Sequence, residues 1–409
     1  MKFNKEQIRQ ALEVYAITDR SWLKEGESLA GVCGRILARG GATMLQLREK
    51  DMDPAELEAE ARQIQAVCAA AGIPFIVNDD LELAIRLDAD GVHLGQDDLK
   101  GRDVRALLGP DKILGITAKT VEQARAAEAA GADYLGSGAV FGSSTKKDAK
   151  YMSRELLREI TASVEIPVVA IGGITAENLL QLSGCGIAGA AVVSGIFAAE
   201  DPQAAARQLR AMVRQLDRPY AIFDMDGTLV DSLPFWQKVG PEYLAGIGYP
   251  DLQREFFRKL GTMTMSEGAA YFVRELGIAK EPKTVEAEMN AVMEGHYRSD
   301  IPAFHGIPEL LEVLKQAGVR MAVASTTAEP LIEACLTRLG LAKYFEYTVS
   351  CETVGAGKES SAVFDACARH FGAEPAEILV YEDSAFALRT AEAAGYGTVD
   401  MTYNREVKG

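Results

Sequence analysis

Ala221-Ile-Phe-Asp224-Met-Asp226-Gly-Thr-Leu-Val-Asp-Ser232 lies near the middle of a 409-residue chain. Apolar β-formers deliver the backbone to Asp224, a second acid follows at Asp226, and Gly227-Thr228 turns the chain out of the strand. A parallel-sheet strand buried on both faces wants Val or Ile, and burying an unpaired carboxylate is costly. Two acids at the carboxyl end of such a strand therefore mark a ligand site, because open α/β sheets bind ligands there. The pair can hold a divalent cation, with one acid as nucleophile and the other as proton donor. A strand running into a solvated Asp-Gly turn is the plain alternative.

Single cores stop growing at roughly 250–300 residues, so the chain should hold more than one domain. Charged residues at 25% and hydrophobic residues at 48% place it among ordinary globular proteins. A net charge of −16 argues against broad binding to nucleic acid or anionic membranes, which demand clustered Lys and Arg. No stretch reaches the ~18 apolar residues of a membrane span, and the start Met1-Lys-Phe-Asn-Lys-Glu-Gln lacks a signal-peptide core. Cysteines 33, 68, 185, 335, 351 and 367 form no Cys-x-x-Cys pair, so neither zinc nor a disulfide framework is indicated. The expectation is a cytoplasmic protein with small-molecule substrates, and homo-oligomerisation is left open.

Residues 1–217 alternate short β-rich runs with helical ones. Strands are predicted at Val14–Ile17, Thr43–Arg48, Phe75–Val77, Gly91–Leu94, Ile113–Ile116, Tyr134–Gly136, Val168–Ile171 and Ala190–Val193. Eight even strand-helix units without a dinucleotide fingerprint favour a (β/α)8 TIM barrel over a doubly wound sheet. Barrel chemistry sits at the strands' carboxyl ends. There the sequence places Gln46, Arg48 and Lys50; Asn78 and Asp79; His93 to Asp98; the Ser/Thr/Lys loop around Lys146; Gly172-Gly173; and Val193-Ser194. The glycine-rich ends of strands seven and eight, each expected to open a helix, read as a phosphate site. Asp79 and Asp98 can share a Mg2+ that helps Arg48 and Lys50 neutralise a pyrophosphate.

Gln46-x-Arg48-Glu-Lys50, Val77-Asn-Asp-Asp80, Gly91-Val-His-Leu-Gly-Gln-Asp-Asp98, Ser144-Thr-Lys-Lys-Asp148 and Gly172-Gly-Ile174 closely resemble thiamine phosphate synthase along this whole half. The resemblance implies condensation of 4-amino-2-methyl-5-hydroxymethylpyrimidine diphosphate with 4-methyl-5-(2-hydroxyethyl)thiazole phosphate, releasing pyrophosphate. It assigns Gln46, Arg48, Lys50, Asn78 and Lys146 to the pyrimidine diphosphate and Asp79 and Asp98 to Mg2+. Thr117, Ser143, Thr145, Gly173, Val193 and Ser194 would surround the pyrimidine or the thiazole phosphate. No general base is needed to activate a tertiary thiazole nitrogen, which suits a chain with four His. Thr117 stands where the family commonly has Ser, and Gly142-Ser-Ser144 replaces the usual Pro-Thr-x. Related barrels that isomerise an aminopyrimidine ring generally lack the full cation and metal set retained here.

Glu200-Asp-Pro202 opens a helix to Leu216, and Asp217-Arg-Pro219 breaks it before the opening stretch, leaving little linker. Residues 218–409 form the second predicted domain. The strand pattern stops from Leu233 to about Asp300, a helical cap inserted into an α/β core. Thr262-Met-Thr-Met265 reads equally as a specificity loop or as cap core. The rhythm then resumes with Met321–Thr327, a strand ending in three hydroxyls, and Ile378–Tyr381, ending in Glu382-Asp383.

Asp224-x-Asp226-Gly-Thr, strand-end Ser325, Lys358 and Glu382-Asp383 occur in order, and the set resembles the capped phosphatases of the haloacid dehalogenase superfamily. The resemblance implies a Rossmann-like core in which Asp224 takes the phosphoryl group and Asp226 protonates the leaving oxygen. Ser325 and Lys358 would bind phosphoryl oxygens, and a second Mg2+ would sit on Asp224, Asp383 and the Asp226 carbonyl, with Glu382 an extra partner. Lys358-Glu-Ser-Ser-Ala362 departs from the usual Lys-Pro-x-Pro-Asp. A phosphomutase would keep the same acids, a dehalogenase would not need Asp226, and no cap lysine marks a phosphonatase. The joint expectation is a bifunctional transferase and hydrolase of thiamine biosynthesis, whose phosphatase acts on thiamine phosphate. Pyrimidine or thiazole monophosphate, an unrelated small ester, and a non-catalytic regulatory half are the alternatives.

Overall fold

Eight short strands close into a parallel barrel in sequence order: β1 Val14–Ile17, β2 Met44–Leu47, β3 Phe75–Asn78, β4 Gly91–Leu94, β5 Ile113–Thr117, β6 Tyr134–Gly138, β7 Val168–Ile171 and β8 Gly189–Val192. The structure is a computed structural model and describes residues 3–50, 52–99, 101–142, 151–249, 256 and 263–405. Val14 opposite Ala190 closes the barrel between β1 and β8. Alternate residues point inward, and Tyr15, Met44, Ile76, Ile113, Tyr134, Val169 and Ala191 form one buried cluster with Ile8 and Leu12 from the N-terminal segment.

Outer helices start and stop where cap chemistry dictates. Asp53 accepts from the N–H groups of Ala55 and Glu56 ahead of the helix Pro54–Ala71, which ends on Gly72 at φ 68°. The expected helix directly after β7 is absent. A four-residue 3-10 turn, Leu179–Leu182, takes its place. The reason is local: Asn178 accepts from Thr175 N–H and donates to the Gly173 carbonyl, which ties the segment into a tight loop. The helix opened by β8 spans only Ser194–Phe197, followed by Pro202–Gln215.

The chain divides into two compact units, Met1–Asp217 and Arg218–Gly409. The second holds a five-stranded parallel sheet of β9 Tyr220–Phe223, β10 Arg320–Ser325, β11 Phe345–Ser350, β12 Ile378–Glu382 and β13 Gly397–Asp400, in the order β11-β10-β9-β12-β13. Strand β9 is therefore central, flanked by the two strands that end in Ser325 and Glu382. Its apolar run packs on both faces: Ile222 joins a cluster with Val363, Phe364 and Cys367, and Phe223 stacks on Tyr381 at 4.3 Å.

Between β9 and β10 lie the described cap helices Leu233–Trp236, Val239–Gly246, Met265–Leu276 and Pro282–Ser299. The two crossings into the cap run side by side, with Asp231 N–H on the Pro302 carbonyl at 3.0 Å and Phe304 N–H on that of Leu229 at 3.1 Å. Met265 begins a helix that Thr264 caps, while Thr262 lies outside the described residues. Trp236, which ends the first of the cap helices, is 38% exposed. All six cysteines are buried and none is in a disulfide, and no described helix is long and apolar enough to cross a membrane.

Candidate active sites

The barrel's strand ends surround a cavity of about 500 Å³. Ten of the residues to which the resemblance assigns a role line it: Gln46, Arg48, Lys50, Asn78, Asp79, Asp98, Thr117, Gly173, Val193 and Ser194. Ser143, Thr145 and Lys146 lie outside the described residues. Asp79 sits just past β3 at φ 61°, a left-handed conformation that Asp tolerates better than most side chains. Burial, and next the charge of Asp98, push its carboxyl above the ordinary range, against the pull of Lys50 and Arg48. A cation shared by the two acids would remove that repulsion, so the pair fits the Mg2+ the sequence implies.

Gly173 fixes the other wall. It has φ 64°, and a Cβ there would meet the Phe141 carbonyl oxygen at 2.7 Å, so only glycine lets the backbone pass this close. Below these groups runs a hydrogen-bonded chain that sequence reasoning missed. Gln46 Nε2 donates to Tyr15 Oη at 2.6 Å, and the Tyr15 and Tyr134 hydroxyls lie 2.7 Å apart. His93 Nδ1 is 3.0 Å from Tyr134 Oη, and its Nε2 is 3.0 Å from Thr117 Oγ1. One direction satisfies every partner: Tyr15 donates to Tyr134, Tyr134 to a neutral His93 Nδ1, and His93 Nε2–H to Thr117. Burial pushes His93 down to about 4, which keeps it in that neutral state. Tyr15 could have been suspected as a hydroxyl at an inward position of an otherwise apolar strand. His93 stood inside a quoted motif without a role.

In the second unit the sheet order does the assembling. Asp224 follows β9 and donates its N–H to the Tyr381 carbonyl of β12 at 2.9 Å. Ser325 ends β10 and Glu382 ends β12, so both flank it. Lys358 Nζ pairs with Asp224 Oδ1 and, at 2.7 Å, with Glu382 Oε2. Asp224, Ser325, Lys358, Glu382 and Asp383 are all buried. Burial alone would lower the Lys358 ammonium, but Asp224 and Glu382 more than reverse it and raise it. Burial and then Glu382 push Asp224 upward.

Carboxylate oxygens of Asp224, Glu382 and Asp383 lie within 4.8 Å of one another. Three buried acids crowd around the one ammonium of Lys358, an excess of negative charge that a divalent cation would offset. Among the described residues no group hydrogen bonds to the buried Asp224 Oδ2. The donor set is all oxygen, as a hard cation requires. The Asp226 carboxylate is not in this cluster. It takes hydrogen bonds from Tyr297 Oη at 2.6 Å and Thr327 Oγ1 at 2.7 Å. Thr327 was legible as the third of three strand-end hydroxyls. Tyr297, 71 residues from its partner and within a helical cap, carried no local signal.

Comparison with known proteins gives two matches in tandem. The family model for thiamine monophosphate synthase matches residues 14–196, and that for haloacid dehalogenase-like hydrolase matches residues 221–400. Thiamine-phosphate synthase 2 of Streptococcus pneumoniae serotype 4 is 44% identical over 196 residues, 48% of this chain and 92% of that protein. Thiamine-phosphate synthase of Geobacillus kaustophilus is 51% identical over 180 residues, 43% of this chain and 81% of that protein. Among solved structures, thiamine phosphate pyrophosphorylase from Pyrococcus furiosus is 36% identical, with a TM-score of 0.47, over 51% of this chain and 98% of that one. CbbY from Rhodobacter sphaeroides, in complex with phosphate, is 26% identical, with a TM-score of 0.37, over 44% of this chain and 84% of that one.

Proposed function

The chain belongs to the thiamine-phosphate synthase family and carries a haloacid dehalogenase-like hydrolase domain after the synthase, and from that premise we propose that the second unit hydrolyses the product of the first, thiamine phosphate, to thiamine. In the first unit Arg48, Lys50, Gln46, Asn78 and Lys146 bind the pyrimidine diphosphate and stabilise the pyrophosphate as it leaves. The aminopyrimidine spreads the positive charge left on its methylene, and the thiazole nitrogen attacks that carbon without a base. The glycines after β7, with Val193 and Ser194, seat the thiazole phosphate, and the resemblance gives Ser143 and Thr145 a share in binding it or the pyrimidine.

In the second unit Asp224 attacks the phosphorus, and Asp226 gives its proton to the departing alcohol oxygen. Water then attacks the aspartyl phosphate while Asp226 takes back a proton. Ser325 and Lys358 bind phosphoryl oxygens, and the Lys358 ammonium offsets the crowding of carboxylates. Asp224, Asp383 and the Asp226 carbonyl here, with Glu382 as an extra partner, and Asp79 and Asp98 in the barrel, would each hold a Mg2+ whose charge offsets that of the phosphates.

The observation that carries the reading is the conjunction in one chain of a synthase that makes a phosphate monoester and a site built to receive one. Asp224 sits there, buried beside Lys358, with Oδ2 accepting no hydrogen bond among the described residues. The test is turnover by the full chain of thiamine phosphate, the pyrimidine monophosphate, the thiazole monophosphate and unrelated small esters. At least a tenfold higher kcat/KM for thiamine phosphate, about 1.4 kcal/mol of discrimination, is expected. An equal or higher value for another ester would overturn the pathway assignment.

A further inference from the structure

The Asp226 carboxylate is held at both oxygens, by Tyr297 on Oδ1 and Thr327 on Oδ2. The two hydroxyl oxygens are themselves 3.3 Å apart, so they close a triangle with the carboxylate. Neither donor is a loose surface group. Tyr297 is 1% exposed and lies in the last full turn of the helix Pro282–Ser299. Its carbonyl accepts from Arg338 Nε at 3.3 Å, and the same guanidinium donates to the Ile301 carbonyl at 2.5 Å. Arg338 ends the core helix Glu329–Arg338, which follows β10 and Thr327. The cap tyrosine and the core threonine are thus anchored to the same stretch of core.

A carboxylate fastened at one oxygen can still rotate about its Cβ–Cγ bond. Fastened at both, it presents its remaining lone pairs in one direction. We propose that Tyr297 and Thr327 are positioning residues of the phosphatase, fixing the rotamer in which Asp226 meets the leaving oxygen of the substrate. This rests on Asp226 being the acid of that reaction. As the Asp224 oxygen bonds to phosphorus, the phosphorus–oxygen bond to the alcohol breaks, and the Asp226 proton passes to the alcohol oxygen. Positioning matters in proportion to the need for that proton. A primary alcohol leaves poorly as an alkoxide, whereas 4-nitrophenolate leaves unaided.

The test compares Tyr297→Phe with wild type in the full chain, on a primary-alcohol monophosphate that the wild type hydrolyses and on 4-nitrophenyl phosphate. The parameter kcat/KM covers only the steps through loss of the alcohol, so the later attack by water does not enter. The alkyl ester should lose about tenfold in kcat/KM and the aryl ester less than twofold. Thr327→Val should show the same split, and Thr327→Ser, which keeps the donor, should restore the alkyl rate. Equal losses on both esters, or no loss on either, would overturn the proposal. If Tyr297→Phe unfolds the cap, the Thr327 pair decides by the same criterion. If the wild type hydrolyses no monophosphate, alkyl or aryl, the phosphatase reading itself is overturned, and the positioning role with it.

Discussion

Asp79 shows how the surroundings of a single side chain can favour a cation. Its carboxyl is raised by burial and by Asp98, so it is uncomfortable as an anion until a cation arrives. Mg2+ should therefore raise the melting temperature of the barrel's unfolding transition, and Asp79→Asn should remove most of that rise. Mg2+ at a hundredfold excess over its Kd would contribute about 2.7 kcal/mol. His93 makes the opposite kind of prediction. Its folded value of about 4 lies below the unfolded 6.5, so in that window the unfolded chain binds more protons than the folded one. Its contribution is complete above pH 6.5 and is lost as pH falls toward 4. Denaturant unfolding of His93→Gln should lack a loss of about 2 kcal/mol that the wild-type barrel shows between pH 7 and 4.5. The charged strand-end residues were legible because acids and cations have no business at the end of a buried strand. Tyr134 and Tyr297 were not, because an aromatic in a β-run or a cap helix reads as core. Their hydroxyls gain meaning only from partners far along the chain.

At the scale of elements, the eight barrel strands and the central strand β9 were readable because parallel strands are continuous apolar runs between turn residues. The segment after β7 was misread. Its brevity is set by Asn178 bonding locally to Thr175 and Gly173, chemistry that competes with a helix and leaves no periodicity to detect. The same turn carries a prediction. Gly173→Ala should cost about 1–2 kcal/mol from its left-handed φ alone, more with the contact to Phe141. It should also raise the KM for the thiazole phosphate well above that for the pyrimidine diphosphate, as steady-state kinetics can check. The cap has its own titrating joint. His296 Nε2 lies 2.6 Å from Glu242 and Nδ1 2.9 Å from Asp300, which links the helices Val239–Gly246 and Pro282–Ser299. Burial would lower its value, but the bonds to Asp300 and Glu242 outweigh that and raise it. The joint's contribution is thus full below the ordinary 6.5 and fades as pH rises through the raised value. Hydrogen exchange in these two helices should quicken over that range by the equivalent of about 0.5–1 kcal/mol, and His296→Gln should abolish the dependence.

For the whole molecule, the net charge of −16 leaves the anionic substrates to be drawn by local groups, Arg48 and Lys50 in one unit and Lys358 in the other. The two chemistries use separate residues, so each should be removable alone. Arg48→Ala should reduce condensation by two or more orders of magnitude and leave phosphate release intact. Asp224→Asn should do the reverse, because it removes the nucleophile proposed to take the phosphoryl group. The most direct measurement supplies the full chain with the pyrimidine diphosphate, the thiazole phosphate and Mg2+, and follows the products over time. The wild type should deliver thiamine, and Asp224→Asn should form thiamine phosphate at the same rate and accumulate it. Accumulation of thiamine phosphate by the wild type, as persistent as that of Asp224→Asn, would contradict the account.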